Sequence, residues 1–196
     1  MDEATLVELL PSVGLAIALA ACAGVRAWLP LLLAGGLSRA GLLELGDAFA
    51  FLSTDKALVL FGLATVLEIT ADKIPALDHA LDALSTVLRP AAGALLAASV
   101  IGRFADPLTA LALGVAVGAP ASLVPHAAKS TLRAAASTLT AGLANPVISL
   151  LEDLLAIVMF VLAVLVPIAV ALVLCLASYF IARRLFRRPA PAARAA

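Results

Sequence analysis

The chain has 196 residues, of which 64% are hydrophobic and 13% charged, with a formal net charge of zero and a mean hydropathy of +1.14. A soluble domain is roughly 45–50% apolar and about a quarter charged, so this chain carries more apolar surface than a water-facing fold can hide and must use lipid as its solvent. Disorder, nucleic-acid binding and a soluble enzyme are excluded as main readings.

A transmembrane helix takes about 20 mostly apolar residues. The first candidate, Leu9–Val25, continues past Arg26 to Ser38. Only Asp2, Glu3 and Glu8 precede it, with no basic region, so it reads as a retained span and not as a cleaved leader. Ala57–Leu67 is too short alone and becomes a span only if Glu68–Lys73 sits in protein or water. The same holds for Pro90–Gly102. Pro107–Lys129 encloses 21 uncharged residues apart from His126. Ala134–Leu151 reads as a helix ending near Gly142 and a turn at Asn145-Pro146. Glu152 and Asp153 then open the last helix, where acids suit the positive end of the dipole. Leu154–Ala182 is 29 residues long. At 1.5 Å per residue it measures about 43 Å, so it must tilt, kink at Pro167 or project from the membrane.

The expected fold is an all-α polytopic transmembrane helical bundle, with about five crossings and one or two helices that are re-entrant or lie at the interface. Residues 1–182 form one transmembrane domain, and 183–196 form an Arg/Pro/Ala-rich tail. Residues 1–182 hold 8 basic and 13 acidic side chains, whereas Arg183, Arg184, Arg187, Arg188 and Arg194 follow without an acid. The positive-inside rule puts that tail in the cytoplasm of a multi-pass protein. Cys22 and Cys175 lie within apolar runs and read as small core residues.

Three groups of charged residues interrupt the spans. The first is Glu68, Asp72, Lys73, Asp78 and Asp82 around Pro75. Glu68 and Asp72 share a helix face, Pro75 breaks the helix, and Asp78 and Asp82 share a face of the next one, continued by Ser85 and Arg89. Carboxylates beside freed carbonyls suit a hard cation such as Mg²⁺, with Asp72, Asp78 and Asp82 as its ligands, or they hold a proton. The alternative is an amphipathic surface helix with solvated acids. The second is Arg26, with 17 uncharged residues before it and 12 after. A cation at that depth needs a partner or a wet cavity, and Glu68 is the partner expected. The third is His126, Lys129 and Arg133, on one helical face, which suits an anion or lipid headgroup or, alternatively, an ordinary interfacial helix.

There is no Gly-rich phosphate loop, His-Glu-x-x-His, Gly-x-Ser-x-Gly or Cys-x-x-Cys motif. His79–Ala92 and His126–Ala136 share a loose His-Ala…Ser-Thr…Arg pattern, as a duplicated helical unit would.

The segments Gly24-Val-Arg26-Ala-Trp-Leu-Pro30, Glu68-x-x-x-Asp72-Lys73-Ile-Pro75-x-x-Asp78, Arg89-Pro90-Ala-Ala-Gly93, His126-x-x-Lys129-x-x-x-Arg133 and Asn145-Pro146 with Glu152-Asp153 resemble a family of small bacterial integral membrane proteins catalogued as a domain of unknown function. The resemblance implies a one-domain, multi-helix inner-membrane protein and brings no activity or cofactor.

The leading expectation is therefore a protein that passes a small ion or solute between Arg26, Glu68 and Asp72, with Asp78 at the mouth. It is not expected to be an enzyme or to need a cofactor, and its partners are the lipid bilayer, the solute and further copies of itself. Two alternatives stand beside it: a Mg²⁺-dependent lipid or isoprenoid-phosphate enzyme, and a non-catalytic scaffold or binding protein.

Overall fold

The computed structural model describes the backbone of residues 3–72, 75–140 and 144–186, and within these every side chain except those of residues 3–8, 75–83, 145, 178, 181–182 and 184–186. Among the described residues eight α-helices follow one another: α1 Glu3–Val25, α2 Trp28–Arg39, α3 Asp55–Ala71, α4 Pro75–Ile101, α5 Pro107–Leu113, α6 Ala119–Thr140, α7 Asn145–Leu165 and α8 Pro167–Phe186. A 3₁₀ stretch, Asp47–Ser53, precedes α3, and a π-helical turn, Gly114–Gly118, joins α5 to α6. No strand occurs among the described residues.

Prolines and glycines set the breaks. Pro75 opens α4, as the sequence leads one to expect. Pro167 disfavours the helical region for the residue before it, and Val166 indeed leaves it at φ −138°, ψ 58°. The long apolar run Leu154–Ala182 is therefore two helices, α7 and α8, and not one tilted span. Glu152 and Asp153 do not open a helix either. α7 starts at Asn145-Pro146, where proline's fixed φ and missing N–H suit the first turn, so both acids project from well inside it. The run Leu9–Ser38 is broken at Arg26-Ala27.

Leu84–Ile101, Pro107–Thr140 and Pro146–Leu165 are long and apolar enough to cross a membrane. The pair Asp47–Ser53 and Asp55–Ala71, bent by 58°, makes a fourth if taken as one span, and Leu9–Val25 and Pro167–Ala177 are shorter apolar segments. Length and composition thus give three or four full spans beside the two short ones.

α1 is the central helix. Ala16, Ala18, Leu19, Ala20, Cys22 and Ala23 are fully buried, because α4, α6, α7 and α8 surround it. From Ala18 to Val25 the helix is enclosed on all sides and needs no polar stripe, and its alanines let the neighbours come close. Outward faces are apolar as well: Val59, Leu63 and Val66 on α3, Leu154 and Val161 on α7, and Leu172 and Leu176 on α8 are exposed. Such a surface suits acyl chains and not water.

Two backbone crossings fix the geometry of the interior. A Cβ on Gly24 would fall 2.0 Å from the carbonyl oxygen of Ser122, and one on Gly118 would fall 2.4 Å from that of Gly93. α1 therefore touches α6, and the π-helical turn touches α4, backbone to backbone. Gly118→Val is expected to push the turn off α4 and destabilise the bundle by about 1–3 kcal/mol, the usual cost of overpacking. A detergent unfolding titration measures it, and an unchanged midpoint would contradict the crossing. Outside the spans, the Asp106 carboxylate accepts the Leu108 and Thr109 N–H groups at the start of α5. The hydrogen bonds from Thr109 hold its carboxyl below the usual carboxylate range.

Candidate functional site: a buried ionic cluster at a helix break

The break between α1 and α2 frees backbone groups inside the bundle, where water is not at hand to satisfy them. Charged side chains from three other helices take over. At the C-terminal end of α1, Arg89 Nη1 donates to the Gly24 carbonyl at 2.9 Å and Lys129 Nζ to that of Val25 at 3.5 Å. At the N-terminal end of α2, the Glu68 carboxylate accepts the Ala27 and Trp28 N–H groups at 3.1 and 3.3 Å. Cations thus meet the negative end of one helix dipole and an anion meets the positive end of the other.

Arg26 sits at the corner itself and is fully buried. Its Nη1 donates to Asp72, its Nη2 donates to Ser149 Oγ at 3.1 Å, and the same nitrogen lies 2.6 Å from Asp153 Oδ1. The last is an ion-pair contact without hydrogen-bond alignment. Glu68, the partner expected from the sequence, is instead engaged by the α2 backbone and lies 3.8 Å from Arg89. Asp72 takes its place because it stands one helical turn further along the same face of α3.

Asp72 collects three cations: Arg26, Arg133 Nη2 at 3.0 Å and Lys129 Nζ at 3.6 Å. Glu152 gathers Arg133 through both carboxylate oxygens, at 3.1 and 2.9 Å, and Lys129 at 3.0 Å. Arg89 Nη1 also lies 3.1 Å from His126 Nδ1. Guanidinium has no acceptor, so Nδ1 is the accepting nitrogen of this contact. The described cluster holds four carboxylates, of Glu68, Asp72, Glu152 and Asp153, against Arg26, Arg89, Arg133 and Lys129.

His126, Lys129 and Arg133 do share one face of α6, and that face points into the bundle, with all three buried. They are not solvated groups of an interfacial helix. The structure brings Arg26, Glu68, Asp72, Lys129 and Arg133 together with His126. Lys73 and the side chains of Asp78 and Asp82 lie outside the described residues. Among the described residues no group of three or more His, Cys, Asp or Glu is placed to hold a metal ion. Asp72, one of the three ligands expected for Mg²⁺, already has its charge met by protein cations.

Arg89, Ser149, Glu152 and Asp153 are the members that sequence reasoning passed over as site residues. A signal was present: Glu152 and Asp153 are the only acids after Asp106, inside a stretch otherwise apolar enough to span.

Two clefts reach the cluster. One, of about 430 Å³, is lined by Trp28, Ala64, Leu67, Leu84 and Leu88 and has Glu68 and Asp72 in its wall. The other, of about 290 Å³, lies among α6, α7 and α8 and has Lys129 and Glu152 in its wall. The contact from Asp72 to Lys129, at 3.6 Å, joins the wall of one to the wall of the other.

Fold and site together define a multi-helix membrane protein whose bundle encloses a buried ionic layer. The chain belongs to the family described as Domain of unknown function (DUF4126), whose model matches residues 13–187. That stretch contains every residue of the cluster. No curated protein and no solved structure matches the chain.

Proposed function

We propose that the protein is a small multi-pass transport protein that passes a small ion or solute across the ionic layer between the two clefts. The observation that carries this reading is the thinness of the layer: Asp72 in one wall meets Lys129 in the other at 3.6 Å, and Lys129 meets Glu152 at 3.0 Å. A purely structural ion pair needs no cleft on either side. Broken helices with charged groups at their ends are the usual construction of membrane transport sites.

The layer has one member whose withdrawal strands no described carboxylate. Asp72 keeps Arg26 and Arg133 if Lys129 withdraws, and Glu152 keeps Arg133. Neither carboxylate is then left buried and unpaired, which would be the expensive outcome. Lys129, on its flexible stem, is accordingly the gate, and the arginines are the frame. The arginine tail fits a cytoplasmic C-terminus at the bacterial inner membrane, with residues 1–182 as the membrane domain, and the small size of one chain suits a homo-oligomer.

Reconstituted in liposomes, the full chain is expected to move at least one solute from a panel of monovalent cations, organic cations and small zwitterions. Asp72→Asn should cut that flux at least tenfold while the protein still elutes as a folded particle. A chain that moves none of the panel overturns the proposal. A scaffold would show the reverse pattern, in which the substitution lowers stability and no flux exists to lose.

A further inference from the structure

We infer that the cleft among α6, α7 and α8 binds a two-chain phospholipid whose head carries a phosphate and a primary ammonium. This goes beyond the transport reading and stands without it, since the site needs a lipid in the bilayer and no passage across the ionic layer.

Three clefts meet at Leu174 of α8. The one with Lys129 and Glu152 in its wall, of about 290 Å³, shares Met159 and Leu174 with a second, of about 400 Å³, which follows α7 and α8 to Val166. It shares Val124, Pro125 and Leu174 with a third, of about 300 Å³, which follows α6 back to Val117. The space is therefore a fork, with one charged end and two apolar arms on either side of α8. Leu132 and Leu155 in the wall of the charged end are exposed, so lipid reaches it sideways. Along α7 the path from Glu152 to Val166 measures about 21 Å at 1.5 Å per residue. One leaflet is half of a hydrocarbon core of about 30 Å, so this arm takes an acyl chain over its full depth. Ala177 lies in the wall of the charged end, and the exposed Arg183 follows it on α8. The head end of the fork thus points toward the arginine tail, and both arms run away from it.

The charged end selects the head. Lys129 and Glu152 are both buried, and Lys129 Nζ lies 3.0 Å from Glu152 Oε2. A phosphate and an ammonium of one molecule can enter this pair together. Lys129 Nζ then donates to a phosphate oxygen, and a Glu152 oxygen accepts from the lipid ammonium. Each protein charge exchanges one partner of opposite sign for another. The ligand brings no net charge, so the fit does not depend on what other charges the layer holds. Glu152 keeps Arg133, and Asp72 keeps Arg26 and Arg133. A carboxylate has about four acceptor positions, enough for Arg133 and the lipid together. A glycerol head offers no cation to Glu152, and a choline head has no N–H to give a buried carboxylate, which needs hydrogen bonds as well as charge.

The test titrates the full chain in detergent with phosphatidylethanolamine, phosphatidylcholine and phosphatidylglycerol of the same acyl chains, and reads bound lipid by native mass spectrometry. The first phosphatidylethanolamine is expected to be held tightly. The other two should bind about tenfold more weakly, the least that the loss of one hydrogen bond to a charged group costs. Glycerophosphoethanolamine, the same head without chains, should not displace it. Leu174→Trp fills the junction of the fork and leaves the ionic residues untouched, so it should abolish the tight binding. Glu152→Gln should erase the preference among the three heads; if that variant does not fold, Leu174→Trp and the head series decide. The inference is overturned if the three lipids bind equally, if the chainless head displaces the lipid, if Leu174→Trp binds as the unaltered chain does, or if folded Glu152→Gln keeps the preference. Selective lipid binding without flux of any solute in liposomes would leave this site standing and sink the transport reading. Flux without selective binding would do the opposite.

Discussion

Arg26→Met is expected to cost about 3–5 kcal/mol of unfolding free energy, the range for removing one partner of a buried charge network. Methionine refills much of the volume of the arginine stem, so the loss is electrostatic and not a cavity effect. Asp153 loses its ion-pair contact and Ser149 its side-chain donor, while Asp72 falls back on Arg133 and Lys129. Arg26→Lys should give an intermediate loss. A single ammonium cannot serve Asp72, Asp153 and Ser149 together as the planar guanidinium does. Unfolding in mixed micelles with rising dodecyl sulfate measures both variants, and equal stability of Arg26→Met and the unaltered chain would refute the arrangement.

The second large effect is a coupling. Arg133 and Glu152 make the best-aligned pair of the cluster, with contacts at 3.1 and 2.9 Å through both carboxylate oxygens. Arg133→Met and Glu152→Met should each destabilise by about 3–5 kcal/mol, since each leaves an opposite charge behind. Together they should cost clearly less than the sum, by about 0.5–3 kcal/mol, because the two orphaned charges vanish at once. A double-mutant cycle on the same unfolding assay reads this difference. Strict additivity would mean that the pair does not interact.

Much of the architecture was legible before any coordinates. Composition alone dictates a membrane bundle, and Pro75 marks a helix break because proline cannot continue the preceding hydrogen-bond ladder. Arg26 and Glu68 declare themselves by interrupting apolar runs. The partner of Arg26 was not legible. Periodicity tells which residues share a face of α3, and Glu68 and Asp72 share one. Which of them meets Arg26 depends on where α2 lands, and α2 lands on Glu68 through its backbone N–H groups.

The basic face of α6 illustrates a second limit. His126, Lys129 and Arg133 give the same stripe whether they look out to water or in to an ion-lined interior, and only the acids of α3 and α7 decide between the two. Glu152 and Asp153 were misread because acids and proline both signal a helix start. Pro146 takes that role, and the acids become free to serve the cluster. At Pro167 the uncharged run gave no hint of the corner beyond the proline itself.

The corner at Arg26-Ala27 has a consequence for biogenesis. Its carbonyls are served by α4 and α6 and its amides by α3, all of which leave the ribosome after it. Until α3, α4 and α6 have followed, the corner lacks these partners and must be held by water, lipid headgroups or insertion machinery. A turn made before these helices is therefore completed only after them, and α1 and α2 depend on later parts of the polypeptide to stay buried.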